Sequence, residues 1–228
     1  MTDQYPRDVK SYVKRPGRMT PAQQRALDTV LPELGLPEPD ADLDPAEVFG
    51  RSAPLLVEIG FGNGDSLVDI AAARPDWNVL GIEVHEPGIG HCLLMAERAG
   101  LKHFRVSQYD AVAVLTRQLP RASVARLNLY FPDPWPKKRH HKRRLVQPKF
   151  LDLVDRVLAP EGALHIATDW ENYAEQIDAV LSDDARFRCA VRREHSGDRP
   201  YERPQTKFER RGLKLGHRIW DWCWRRAG

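Results

Sequence analysis

Residues 131–144, FPDPWPKKRHHKRR, set one carboxylate, Asp133, between Pro132 and Pro134, and follow it with six basic residues and two histidines in eight positions. The two prolines fix φ on either side of the acid and remove two backbone donors, which predicts a stiff loop with Trp135 available to stack or pack. Six like charges repel one another without a counter-charge, so the run points to a polyanion, the ordinary alternative being a solvated helix start.

A second group of chemistry-bearing residues lies upstream. In VEIGFGNGDS, Gly60, Gly62 and Gly64 follow an apolar run, where a backbone without side chains lets a ligand approach closely. Such a loop also serves as a plain tight turn. Its spacing departs from the dinucleotide fingerprint, and it lacks the Gly-Lys-Ser/Thr ending of a phosphate loop, which disfavours a pyrophosphate ligand. Acids recur instead: Glu58 in the first apolar run, Glu83 at the end of the second and Asp110 after the third. Glu83 lies at about the distance that brings an acid to a ribose, where it accepts hydrogen bonds from both hydroxyls. Asp110 would meet an adenine amino group, and Glu58 would sit close to the amino acid part of the ligand, near a sulfonium. The ligand so described is S-adenosylmethionine.

Positioning these residues requires alternating strands and helices. LLVEIG, NVLGIEV, HFRVSQ, VARLNLYF and ALHIATD read as strands, separated by helices at 66–75, 87–100, from about Ala111, at about 147–158 and from Glu171. Repeated βα units imply a mostly parallel sheet with helices on both faces, an α/β fold. Asp133 then follows the fourth strand and Asp169 the fifth, at the edge where open sheets place ligands; Asp169 also reads as an N-cap for the next helix. Trp220, Trp222 and Trp224 alternate with Asp221 and Cys223, which predicts an antiparallel C-terminal strand paired with one near 188–194. Residues 1–50 read as a basic arm with one short helix announced by Thr20, Pro21 and Gln23, and 51–228 as the catalytic domain. Lys10, Lys14, Arg15, Arg18 and Arg25 would let the arm lie on a phosphate backbone or remain solvated.

Of the 228 residues 42% are apolar, which suits a globular core. No run approaches the roughly 18 apolar residues of a membrane span, and the first ten residues lack the apolar stretch of a secretory signal, so a soluble cytoplasmic protein, monomeric or a weak homodimer, is expected. Cys92, Cys189 and Cys223 show no metal-ligand or disulfide spacing and are expected to be reduced and mostly buried; no metal is expected. The net charge of +3 is small, yet basic residues cluster at 7–25, 137–144 and 186–226.

The chain resembles the bacterial tRNA (guanine-N7-)-methyltransferases of the TrmB family from about Ser11 to its end. The resemblance is carried by SYVKRPGRMTPAQQRAL, VEIGFGNG, GIEVH, FPDPWPKKRHHKRR, ATDWENYAE and RPQTKFERRGLKLGHRIWD. It implies a Rossmann-like class I methyltransferase that uses S-adenosylmethionine to methylate N7 of the variable-loop guanosine of tRNA, position 46. By the same resemblance the donor is bound at Glu58, Glu83, Asp110 and Asp133, with Gly60, Gly62 and Gly64 as the loop beneath it, and Asp133 is the catalytic acid. Lys137, Asp169, Thr206, Lys207, Phe208 and Glu209 would contact tRNA, and Arg139, His140, His141, Lys142, Arg143 and Arg144 would form an RNA-interacting run. Where the family often has a small polar residue before its motif acid, this chain has Tyr109. On the residues alone TKFE reads as a strand entry, and the histidines have no metal-like spacing. Two alternatives remain at this level: an amino-methyltransferase acting on another base, whose Asp/Asn-Pro-Pro-aromatic loop differs from Asp133-Pro134-Trp135, and a non-catalytic RNA-binding module on the same scaffold.

Overall fold

The computed structural model describes residues 11–12, 17–196 and 203–227. Lys10, Lys14 and Arg15 lie outside them. The apolar runs form seven strands, β1 (Leu55–Ile59), β2 (Asn78–Ile82), β3 (Phe104–Ser107), β4 (Val124–Tyr130), β5 (Leu158–Thr168), β6 (Phe187–His195) and β7 (Ile219–Arg226). They make one sheet in the order β3-β2-β1-β4-β5-β7-β6. Its pairings are parallel except where β7 runs antiparallel to β5 and β6. The chain reverses its direction of winding between β1 and β4, which opens a crevice at their carboxyl ends.

Helices connect the strands: α4 (Asp65–Ala73), α5 (Glu86–Arg98), α6 (Ala111–Arg117), α7 (Pro148–Val157), α8 (Glu171–Ser182) and α9 (Lys207–Lys214). On one face, Val57, Leu127, Leu164 and Trp222 pack against Phe150 and Val154 of α7 and Tyr173 and Ile177 of α8. On the other, Leu56 and Val79 pack against Leu67 of α4 and Ile89 and Leu93 of α5. Trp222 and Trp224 are buried and Trp220 packs beside them, so the alternation in β7 aims all three tryptophans into the first core.

The N-terminal region is more structured than a solvated arm. It holds three helices rather than one, α1 (Pro21–Thr29), α2 (Leu31–Leu34) and α3 (Pro45–Phe49). Thr20 and Gln23 form the expected capping box on α1. Ala26 and Val30 are buried in the second core, and a Cβ on Gly90 of α5 would come within 2.8 Å of the Gln23 carbonyl, so α1 crosses α5 with almost no space between backbones. The cysteines also differ from expectation: Cys92 is buried, but Cys189 is exposed on the edge strand and Cys223 is half-buried. Among the described residues no helix is long and apolar enough to cross a membrane.

Candidate active site

The glycine loop turns between β1 and α4 with Gly60, Gly62 and Gly64 at φ of 73°, 61° and 84°, a region that other residues enter only at a cost. Their surroundings differ. A Cβ on Gly64 would collide with Cys92 Sγ at 2.3 Å, whereas one on Gly60 would meet nothing within 4 Å. Gly64 therefore serves close packing, and Gly60 faces open space.

The acids border this loop. Glu58 is buried, its Oε1 accepts a hydrogen bond from Ser66 at 3.4 Å, and its Oε2 has no partner among the described residues. Burial pushes its carboxyl up to about 7, against the opposing pull of the Asn128 and Ser66 side chains and of the Arg203 and Arg126 charges. A buried acid with an open oxygen accommodates a cationic group well. Glu83 accepts backbone N–H groups from Gly62 at 2.9 Å, Val84 at 2.7 Å and His85 at 3.0 Å, so it closes the glycine loop while keeping acceptor capacity for hydroxyls. Asp110 caps α6 through the Val112 N–H at 2.8 Å and hydrogen-bonds the Tyr12 side chain, a contact that, after burial and with the Asp110 charge, holds the Tyr12 phenol above its usual range. Tyr109 packs against the first core.

Asp133 is exposed in the loop after β4. Phe131 and Trp135 flank its prolines at φ of 50° and 45°, so the loop is held in backbone conformations that are costly for both residues. Contacts on all sides hold it there. The Phe131 N–H bonds the Ala167 carbonyl at 2.7 Å, the Trp135 indole donates to the Ser11 carbonyl at 3.1 Å, and the Arg143 guanidinium lies 4.3 Å from the Trp135 ring centre.

The basic run forms a 3-10 helix (Lys138–Arg143). Lys137, Lys138, Arg139 and Lys142 are exposed, and burial followed by the neighbouring charges of Arg139, Arg143, Lys137 and Lys142 holds His140 below its ordinary value. Arg144 stands apart. It is buried, donates to the Pro134 carbonyl at 2.8 Å, to Gln176 at 2.8 Å and to Asn172 at 3.0 Å, and lies over the Tyr173 ring. Its charge ties the Asp133 loop to α8 instead of facing solvent, and His141 bonds this same guanidinium at 3.1 Å.

Asp169 is not a cap, since Trp170 holds the N-cap position of α8. Its carboxylate meets His217 Nδ1 at 3.2 Å and abuts Gly212 of α9. TKFE begins a helix rather than a strand, because the Thr206 hydroxyl accepts the Glu209 N–H and caps α9. Lys207 and Phe208 are exposed. Glu209 is fully buried and paired with Arg203 at 2.5 Å, so its carboxylate anchors α9 and does not face solvent.

Arg203, which no local motif announces, belongs to a buried polar row. Its guanidinium also pairs with Asp221 at 2.7 Å and lies over the rings of Tyr130 and Phe131. Asp221 accepts from His165 Nε2, while His165 Nδ1 accepts from Arg126 and lies 3.0 Å from the Tyr130 hydroxyl. Because arginine only donates, the ring is neutral at Nδ1. Arg126 in turn donates to Asn128 at 2.9 Å, and the register sets Glu58, Asn128 and His165 side by side across β1, β4 and β5. The signal was present in the sequence: Arg126, Asn128 and Tyr130 recur at period two in a strand that the fold buries on both faces.

A seven-stranded sheet with one reversed strand, a glycine loop after β1 and acids at successive strand ends define a Rossmann-like, S-adenosylmethionine-dependent class of methyltransferase. Solved structures share this fold: the 16S rRNA (adenine(1408)-N(1))-methyltransferase of Catenulisporales acidiphilia, in a mutant solved with its cosubstrate SAM, has a TM-score of 0.54 at 16% identity, covering 82% of this chain and 93% of that one. A SAM-dependent methyltransferase from Aquifex aeolicus gives 0.52 at 17%, covering 92% and 100%. A family model described as a putative methyltransferase matches residues 52–222. The tRNA (guanine-N(7)-)-methyltransferase of Halorhodospira halophila is 51% identical over 223 residues, 96% of each chain, and that of Alcanivorax borkumensis 52% over 215 residues, 94% of this chain and 90% of the other. The chain belongs to the tRNA (guanine-N(7)-)-methyltransferase family.

Proposed function

We infer that this chain methylates N7 of a guanosine in tRNA, using S-adenosylmethionine, and that the target is the variable-loop guanosine at position 46. The observation that carries the reading is the near full-length identity of about half to relatives bearing that name, on a chain whose glycine loop and strand-end acids fit the donor. When bound, the donor supplies an electrophilic methyl group on a sulfonium. Glu58, with its open buried oxygen, would hold the cationic amino acid end, Glu83 the ribose hydroxyls, and Asp110 the adenine amino group in place of Tyr12. Gly60 offers the open space that brings backbone close to the ligand.

Guanine N7 carries a lone pair in the ring plane and no proton, so its attack needs no base to create the nucleophile. Asp133 orients the ring by accepting from the N1 and N2 donors and offsets the positive charge that grows on the purine. The strained, pinned loop keeps this carboxylate in place before the base arrives. Lys137 and the exposed cations of the 3-10 helix hold the RNA backbone beside it.

The test incubates the protein with unmodified tRNA transcripts and labelled S-adenosylmethionine, followed by chain cleavage specific to N7-methylguanosine. Cleavage at the variable-loop guanosine is expected. Label on another base refutes the assigned nucleophile, and cleavage at another guanosine refutes the position.

A further inference from the structure

We propose that the outer face of α9 is a second phosphate-binding ridge for tRNA, in which Arg210, Arg211 and Lys214 act with Lys207; the proposal rests on the tRNA reading above. Helix geometry creates the ridge. Glu209 and Gly212 turn inward, against Arg203 and Asp169, which leaves Lys207, Arg210, Arg211 and Lys214 exposed at i, i+3, i+4 and i+7, a single outer face. Together with Leu215 these four side chains line a concavity of about 330 Å³. Leu215 in that lining and Phe208 on the same helix, 62% and 52% exposed, offer apolar surface to a ribose or base.

Among the described residues no carboxylate pairs with Lys207, Arg210, Arg211 or Lys214, and the Arg210 guanidinium bonds only the Gln205 carbonyl. Several arginines of β6, β7 and their turns behave differently: Arg186 pairs with Asp152 and Asp184, Arg192 with Asp178, Arg218 with Glu194 and Arg226 with Asp155. A basic surface neutralised by its own acids gains little from phosphate, whereas four open cations on one helix face release counterions when they meet a polyanion.

Position favours RNA as the occupant. A Cβ on Gly62 would lie 3.8 Å from the Phe208 ring, so α9 borders the donor crevice. Arg203 and Glu209 sit on the sheet face of Tyr130, His165 and Asp221, while Arg144 anchors the 3-10 helix against Tyr173 on the opposite face. The two basic elements therefore flank the Asp133 loop from both sides of the sheet, and a tRNA that presents its base to Asp133 is held along its backbone on each side.

The experiment compares wild type, Arg210→Ala/Arg211→Ala/Lys214→Ala, the single Arg211→Glu, and Lys138→Ala/Arg139→Ala/Lys142→Ala for binding of unmodified tRNA over a salt series, with S-adenosylmethionine affinity as the check on folding. The α9 triple variant is expected to bind tRNA about tenfold or more weakly and to flatten the salt slope by about 2 to 3, with Arg211→Glu weakened in the same direction and donor affinity retained. An α9 triple variant that binds tRNA as wild type does, while the 3-10 variant is weakened, overturns the ridge and leaves the tRNA reading standing. Wild-type protein that shows no salt-dependent tRNA binding overturns both. Retained tRNA binding with a loss of binding to phosphatidylserine vesicles assigns the face to a membrane surface and likewise overturns the proposal.

Discussion

If Glu58 holds the cationic end of the donor, as proposed, donor binding is a titration. Its carboxyl lies near 7 because it is buried, and the cationic end of the donor needs the ionised form. About 3% of the sites are ionised at about pH 5.5 and half at about pH 7, so affinity is expected to rise roughly 15-fold over that interval, with a proton released on binding at the lower pH. Calorimetry in two buffers of different ionisation enthalpy measures both quantities. Glu58→Gln removes the slope and isolates any titration of the donor itself. The same shift acts on folding: the native carboxyl lies above its ordinary value of 4.5, so stability is lost as pH rises from 4.5 through about 7, by about 3 kcal/mol in all. The glutamine variant is therefore more stable than wild type at about pH 8 and comparable below 4.5. Wild-type affinity that is flat with pH, or a slope undiminished by Glu58→Gln, refutes the reasoning.

Asp133→Asn keeps the shape of the loop and removes its charge; turnover is expected to fall at least about 100-fold while tRNA affinity, measured by filter binding, stays within about threefold. Gly60→Ala and Gly64→Ala share a left-handed φ but not their surroundings. Gly60→Ala should cost about 1 kcal/mol in denaturant unfolding yet weaken the donor about tenfold or more, whereas Gly64→Ala, forced onto Cys92, should cost about 2–4 kcal/mol. Arg203→Ala leaves Glu209 and Asp221 buried without their shared cation, and a loss of about 3–5 kcal/mol is expected in thermal or denaturant unfolding; a loss below about 1 kcal/mol would show that the row is not a structural hub.

The strands and most helices were legible because each has a strong period: continuous apolar runs for β1 and β2, and strict alternation for β7. So was the reversal of β7, since three tryptophans at period two cannot share one side of a helix. The acids at the strand ends were legible for the same reason, because strand order in such sheets fixes which edge they occupy. What local sequence did not reveal was the direction each side chain takes at a turn. Arg144 and Arg143 are neighbours in one basic run, yet one is buried against Tyr173 and the other lies over Trp135. Glu209 and Lys207 belong to one tetrapeptide, yet one anchors the helix and the other faces solvent. The packing of α1 on α5 was hidden as well, because prolines and charges dominate the N-terminal composition while the burial rests on Ala26, Val30 and the bare backbone of Gly90.

The polar row across β1, β4, β5 and β7 also bears on how the sheet is assembled. Aliphatic strands buried on both faces are nearly interchangeable and can slip against one another. A one-residue slip of β4 would turn Arg126, Asn128 and Tyr130 toward the face packed by Leu127, Leu129 and α7, and a slip of β5 would do the same to His165. Each error strands polar groups in a dry core, so wrong registers are penalised as soon as they form. The row thus acts as a proofreading device for strand alignment, and that alignment puts Glu58 and Asp133 on the same edge.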